Sequence, residues 1–78
     1  MTVNEYEEFQ KLIGMGEELN FYYRGDEYWI SHTPGKSYLT RSEDSYSQEF
    51  SSHEQLFERG MIDRIHLYDL LNELVWQT

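Results

Sequence analysis

The clearest hydrophobic pattern in the chain is an alternation of aromatic and polar residues between Leu19 and Leu39. Gly25-Asp26 interrupts this alternation with residue types that favour a two-residue hairpin turn, and such a turn places Tyr22 opposite Trp29. Because side chains alternate between the faces of a strand, one face of the hairpin is expected to be core. That face comprises Leu19, Phe21, Tyr23, Tyr28 and Ile30.

Two further strands are predicted after this hairpin. Thr33-Pro34-Gly35-Lys36 is typical of a type II turn, since proline fixes φ at the first central position and glycine tolerates positive φ at the second. Residues 37–41 then form a third strand. A polar turn follows, and residues 46–50 form a fourth strand.

Large aromatic side chains lie on the opposite face of the predicted sheet. If the second turn also has two central residues, Ser31 pairs with Tyr38 and the cluster on this face becomes Tyr22, Trp29 and Tyr38. Tyrosine and tryptophan dominate the energetics of protein interfaces, so the cluster is a candidate binding patch. The alternative is that a helix covers this face and the rings are core.

Helical signals flank the strands. Thr2 and Glu5 fit a capping box for a first helix that ends at Gly14 and Gly16. Residues 51–54 are a second capping-box candidate, for a short helix that ends at Gly60.

The C-terminal segment is predicted to be a third helix with Asp63 as its N-cap. Its apolar stripe comprises Leu67, Leu70, Leu71, Leu74 and Val75. The predicted fold is therefore a single α+β domain over residues 1–78, with a three- to four-stranded antiparallel meander, an N-terminal helix and two C-terminal helices. The predicted core includes Phe21, Ile30, Leu39, Phe50, Leu71 and Leu74.

The net charge of the chain limits the classes of partner that it is expected to bind. Fifteen acidic residues against six basic ones give a net charge of −9 at pH 7. Binding to a nucleic acid backbone needs clustered lysine and arginine, so direct contact with nucleic acid or anionic membrane is disfavoured. A protein partner with a basic surface is compatible with this charge, and solubility alone is the alternative explanation. With no cysteine and no N-terminal apolar run, we expect a cytoplasmic protein.

The sequence contains none of the common catalytic motifs. It has no cysteine nucleophile, no Gly-x-Ser-x-Gly, no phosphate loop and no dinucleotide fingerprint. The histidines His32, His53 and His66 lack the spacing of a helical metal pair. We therefore expect a non-enzymatic protein without metal or cofactor. Arg24-Gly25-Asp26 matches the integrin-recognition tripeptide, but hairpin turn chemistry explains it without an extracellular role.

Carboxylates are predicted to border the aromatic cluster. Glu27 belongs to the same face, and Glu43 and Asp44 follow in the next turn. An aromatic centre with an acidic rim would suit a nucleic-acid groove on a host enzyme, with carboxylates in place of phosphates. The predicted function is thus an acidic protein-binding module, as a monomer or homodimer. The alternative is a structural or regulatory module that self-associates through its sheet face or edge.

Three segments carry a resemblance to known proteins: residues 23–30, residues 50–57, and Met61-Ile62-Asp63 before a leucine-rich stretch. Together they resemble small uncharacterised proteins of low-GC Gram-positive bacteria and their phages, over roughly residues 19–75. Such relatives often carry glycine after the Ile-Asp pair, where this chain has Arg64. The resemblance implies a mobile-element accessory protein, a class that includes inhibitors of host defence enzymes.

Overall fold

The computed structural model describes residues 1–76 and has an α+β fold built on a five-stranded antiparallel sheet. The helices are α1 (Val3–Gly14), α2 (His53–Arg59) and a 3₁₀ helix (Leu67–Glu73). The strands are β1 (Leu19–Tyr23), β2 (Asp26–Thr33), β3 (Lys36–Arg41), β4 (Tyr46–Phe50), β5 (Met61–Ile62), β6 (Ile65–His66) and β7 (Leu74–Val75). The large sheet has the order β4-β3-β2-β1-β7, and β5 and β6 form a separate hairpin.

The predicted start and end of α1 are confirmed. The Thr2 hydroxyl accepts from the Glu5 amide at 3.1 Å, and the Glu5 carboxylate accepts from the Thr2 amide at 2.8 Å. At the other end Gly16 has φ +94°, and the amide of Glu17 donates to the carbonyl of Leu12. The positive φ of Gly16 turns the chain so that backbone amides after the helix can donate to carbonyls of its last turn, which would otherwise be unpaired.

The register of the first hairpin differs from the prediction by two residues. Its turn is Arg24-Gly25, both with positive φ, so Tyr22 lies opposite Glu27 and not opposite Trp29. Positive φ at both central positions is the geometry whose twist suits a tight hairpin. A shift of two residues keeps every side chain on its predicted face. The shifted register also stacks Phe21 on Tyr28, with centroids 5.5 Å apart.

The second hairpin follows the prediction. Ser31 pairs with Tyr38 and Trp29 pairs with Thr40, around a two-residue turn in which Gly35 has φ +80°. The fourth strand is confirmed at residues 46–50.

Two helix caps differ from the prediction. The N-cap of α2 is Ser52, whose hydroxyl accepts from the Gln55 amide at 3.1 Å, so the predicted box at residues 51–54 is displaced by one residue. Asp63 is not an N-cap. With Arg64 it forms the turn of the β5–β6 hairpin, and both residues have positive φ.

The predicted last helix is also wrong in form. Residues 67–73 are a 3₁₀ helix, and Leu74 and Val75 form a fifth strand beside β1. The β5–β6 hairpin delays the start of the helix to Leu67, and β7 ends it after Glu73. Pairing with the open edge of β1 satisfies backbone groups that a continued helix would leave exposed there.

Gln48 joins the large sheet to the β5–β6 hairpin. Its side-chain amide donates to the carbonyl of Met61 at 2.7 Å and accepts from the Met61 amide at 3.1 Å. The Gln48 side chain thus pairs both backbone polar groups of Met61 and holds the β5–β6 hairpin against β4.

The core lies between the sheet and the helices. The predicted core residues Phe21, Ile30, Leu39, Leu71 and Leu74 are buried, whereas Phe50 is only half-buried because it lies on the edge strand. Phe9 of α1 packs edge-on against Phe21, with centroids 5.9 Å apart. The remaining buried apolar side chains are Tyr6, Phe9, Ile13, Tyr23, Tyr28, Leu56, Phe57, Ile62, Leu67 and Leu70. All helical segments therefore cover the same face of the sheet.

The longest helix is α1, with 12 residues. Within residues 1–76 no helical segment has the length and apolar character that a bilayer span requires.

Candidate functional site

The sheet face turned away from the helices is the candidate site, and we call it the outer face. The strand registers assign it the side chains Asn20, Tyr22, Glu27, Trp29, Ser31, Thr33, Lys36, Tyr38, Thr40, Ser47, Glu49 and Val75. Most of these residues are polar, as expected for a solvated face of an antiparallel sheet. The rings are the exception.

Trp29 is the most exposed ring of the predicted cluster. It lies on β2, the central strand of the sheet, and is 41 % exposed, while Tyr22 and Tyr38 are half-buried. Glu27 is opposite Tyr22, and Thr40 is opposite Trp29, so Tyr22 and Tyr38 are both diagonal neighbours of Trp29. The predicted cluster thus lies along a diagonal of an uncovered face, and the alternative of a helix-covered face does not hold.

At one end of this diagonal, Glu27 accepts hydrogen bonds from neighbouring side chains. Its carboxylate accepts from the side-chain amide of Asn20 at 2.7 Å and from the Tyr22 hydroxyl at 3.4 Å. Hydrogen bonds from Asn20 and Ser42 lower the pKa of Glu27, and a smaller contribution comes from Trp29. Glu27 is therefore ionised at neutral pH and restrains the side chains around it.

The two predicted rim carboxylates of the β3–β4 turn differ in their surroundings. Asp44 receives two hydrogen bonds from the Arg41 guanidinium, at 3.0 and 2.7 Å. The pairing of Arg41 with Tyr28 places it in a row whose side chains point to the helix side. The Arg41 guanidinium, together with the amide of Tyr46, lowers the pKa of Asp44 to about 2. Its charge is compensated within the chain, whereas Glu43 is exposed in the turn.

The far end of the outer face is nearly neutral. Glu49 lies opposite Tyr38, and its carboxylate is 2.8 Å from the ammonium of Lys36. Among the charged side chains that the registers place on this face within residues 1–76, Glu27 is therefore the one without an ion-pair partner.

The sequence prediction missed two residues of this face. Asn20 lies opposite Trp29 and binds Glu27, but the predicted register aligned it differently. Val75 lies opposite Tyr22 and is exposed, but it was assigned to a helix. The place of Val75 on this face follows only from the pairing of β7 with β1. The place of Asn20 could have been predicted from the alternation of polar and apolar residues along β1.

The polar side chains of the outer face surround one exposed indole, that of Trp29. In the part of the chain that the structure describes, no group of three or more histidine, aspartate or glutamate side chains is placed to hold a metal ion. The charged side chains of the face bind neighbours of this chain at hydrogen-bond distance. Its exposed indole is the feature that such pairing leaves unexplained.

Comparisons with protein-family models, with curated proteins and with solved structures each found no match to this chain. The assignment of a site therefore depends on the geometry described above.

Proposed function

We propose that this chain is a non-enzymatic protein-binding module whose outer face docks on a basic surface of a partner protein. The observation that carries the proposal is Trp29, a large ring left exposed at the centre of a face that no helix covers. Tryptophan is enriched among the residues that dominate binding energy at protein interfaces, and the Trp29 ring is accessible for such a contact.

Charge supports the choice of a basic partner. The chain carries a net charge of −9, and its field attracts positive surfaces and accelerates their encounter. Glu27 stands beside Trp29 on the same strand and is ionised, so the centre of the face joins an aromatic anchor to a negative charge. In its finer form, the proposal is that the partner surface is a nucleic-acid groove of a host enzyme and that the chain acts as a phage-type inhibitor.

A second candidate function is self-association through the sheet edge. The strand β4 lies at one edge of the large sheet, and within residues 1–76 no further strand pairs with its outer side. An open edge strand is a template for pairing with another chain. We rank this candidate second because two copies of charge −9 repel each other, whereas a basic partner does not.

The experiment compares three immobilised proteins in lysate of a Gram-positive host: the native chain, Trp29→Ala and Tyr46→Ala. Tyr46 is a matched control, because it is 60 % exposed and lies on β4 in a row that belongs to the other face. We expect the native chain and Tyr46→Ala to retain the same basic protein and Trp29→Ala to lose it. Heparin, a polyanion, should elute that protein because it competes for the basic surface.

Two results would contradict the proposal. Retention of the same protein by Trp29→Ala would show that the outer face is not the contact. A concentration-dependent dimer in light scattering that Trp29→Ala leaves intact, with no heparin-sensitive partner, would favour the edge-pairing candidate.

A further inference from the structure

Part of the β1 edge of the large sheet has no neighbouring strand among residues 1–76. The short strand β7 pairs with β1 only at Tyr22 and Tyr23, so the first three residues of β1 extend beyond it. An uncovered strand edge carries backbone donors and acceptors that can pair with an added strand.

The backbone polar groups of Asn20 face this uncovered edge. The carbonyl of Glu27 on β2 accepts from the amide of Ser42, which follows β3, so the backbone groups of Glu27 point away from β1. Opposite residues of antiparallel strands alternate between bonded and non-bonded pairs, and Glu27 with Tyr22 is therefore a non-bonded pair. Two residues before Tyr22, the amide and the carbonyl of Asn20 point away from β2 in the same way.

A groove with a volume of about 630 Å³ opens onto this edge, in the range of ~300–1,000 Å³ typical of ligand sites. Its lining includes residues of α1, residues of β1 and the residue after β7: Glu5, Glu8, Leu12, Leu19, Asn20 and Trp76. The side chains of Leu19 and Asn20 lie on opposite faces of the sheet, so a groove that both residues line contains the edge of β1 itself. We call it the β1 groove.

Three apolar side chains that line the β1 groove are only half-buried: Leu12, Leu19 and Trp76. The ring of Trp76 packs edge-on against the core residue Phe9, with centroids 5.1 Å apart. An apolar side chain from outside the chain would remove the remaining surface of these residues from water, and such burial favours binding.

The charged residues that line the β1 groove are both acidic, Glu5 and Glu8. In the described part of the chain, Glu8 has no ion-pair partner within 4.0 Å. Glu8 lies one helical turn before Leu12, which places a carboxylate about 5–6 Å from an apolar side chain of the groove. In an extended segment, side chains two positions apart are separated by about 7 Å and share one face. The spacing therefore fits an apolar residue and a basic residue at alternate positions of a strand.

We propose that the β1 groove binds an extended segment of a partner protein in which an apolar residue has a lysine or arginine two positions away. The segment adds to the sheet as a strand and forms backbone hydrogen bonds with Asn20. Its apolar side chain contacts the three half-buried apolar residues of the groove, and its basic side chain pairs with Glu8. The proposal does not depend on the function proposed for the outer face.

The test is a titration of the ¹⁵N-labelled full chain with the peptide acetyl-Thr-Lys-Thr-Leu-Thr-Lys-Thr-amide, followed by two-dimensional NMR. The side chains of this peptide have the same order in both directions, so it suits a parallel or an antiparallel strand. Its leucine and lysines share one face of the strand. We expect saturable shifts at the amides of Leu12, Leu19 and Asn20 and at the indole N–H of Trp76.

Matched peptides separate strand pairing from side-chain contact. The side chain of Asn20 lies on the outer face, so the residue opposite it is a threonine, and the leucine amide then points away from β1. N-methylation of the two threonines beside leucine should weaken binding about tenfold or more, whereas N-methylation of leucine should change the affinity by less than about twofold. Asparagine in place of leucine should also weaken binding about tenfold or more, since the apolar contact is lost.

Protein variants assign the contact to the β1 groove. Glu8→Lys should weaken binding of the peptide roughly threefold or more beyond the effect of Glu58→Lys. Glu58 is the matched control, because it is exposed on α2, does not line the groove and changes the net charge equally. Leu12→Ala should weaken binding roughly threefold or more through lost apolar contact.

Several results would overturn the proposal. Equal affinity for the two N-methylated peptides would exclude strand pairing. Equal weakening by Glu8→Lys and Glu58→Lys would indicate attraction to net charge only. Shifts centred on Trp29 would place the contact on the outer face, and shifts centred on Ser47 and Glu49 would place it at the β4 edge. The absence of saturable shifts would show that the β1 edge is closed in the full chain.

Discussion

We predict that removing the hydroxyl of Tyr6, which is unpaired among residues 1–76, stabilises the folded chain. In Tyr6→Phe the buried ring and its contact with Phe57 remain, and only the hydroxyl is removed. A buried polar group without a partner costs ~1–3 kcal/mol, so its removal should raise the free energy of unfolding by about that amount. For a domain of this length, 1 kcal/mol corresponds to a rise in Tm of about 4–8 °C.

The assay is urea unfolding followed by far-UV circular dichroism. With a slope of about 1 kcal/mol per molar urea, the midpoint should rise by roughly 1 M or more at unchanged slope. Tyr28→Phe is the matched control, because Tyr28 is similarly buried but the nearby Arg41 guanidinium opposes the rise that burial causes in the pKa of its hydroxyl. That control should lose about 1 kcal/mol or more. If Tyr6→Phe is destabilised as much as Tyr28→Phe, the hydroxyl is paired in solution and the reasoning fails.

Three further predictions concern the core, the edge strand and pH. Leu74→Ala should cost ~2–5 kcal/mol, because Leu74 is 1 % exposed; an unchanged Tm would show that β7 does not pack as described. Gln48→Leu should cost ~1–3 kcal/mol by leaving the Met61 backbone groups unpaired, with accelerated amide exchange at Met61. Asp44 has a pKa of about 2, below the ordinary 3.8, so its pairing with Arg41 stabilises the fold above pH 3.8 and this contribution is lost as pH falls towards 2. Asp44→Asn should flatten the dependence of stability on pH in that window, and an unchanged slope would contradict the pairing.

Elements with strong local signals could be predicted from the amino-acid sequence. The capping box of Thr2 and Glu5 and the glycines after it specify α1, because they satisfy backbone groups within a few residues. Alternation of side chains determined which face of the sheet is core. That prediction held although the first register is shifted, since a slip of two residues preserves both faces. The grouping of Tyr22, Trp29 and Tyr38 on one face follows from the same alternation.

Features that depend on contacts between distant residues could be recognised only in the folded chain. The stripe from Leu67 to Val75 has α-helical spacing, but the chain forms a 3₁₀ helix there and then pairs Leu74 and Val75 with the open edge of β1. The exposure of Trp29 required knowledge of which face the helices cover. The pairing of Asp44 with Arg41 and the unpaired Tyr6 hydroxyl likewise depend on side-chain positions, and no spacing along the chain encodes whether a polar atom finds its partner.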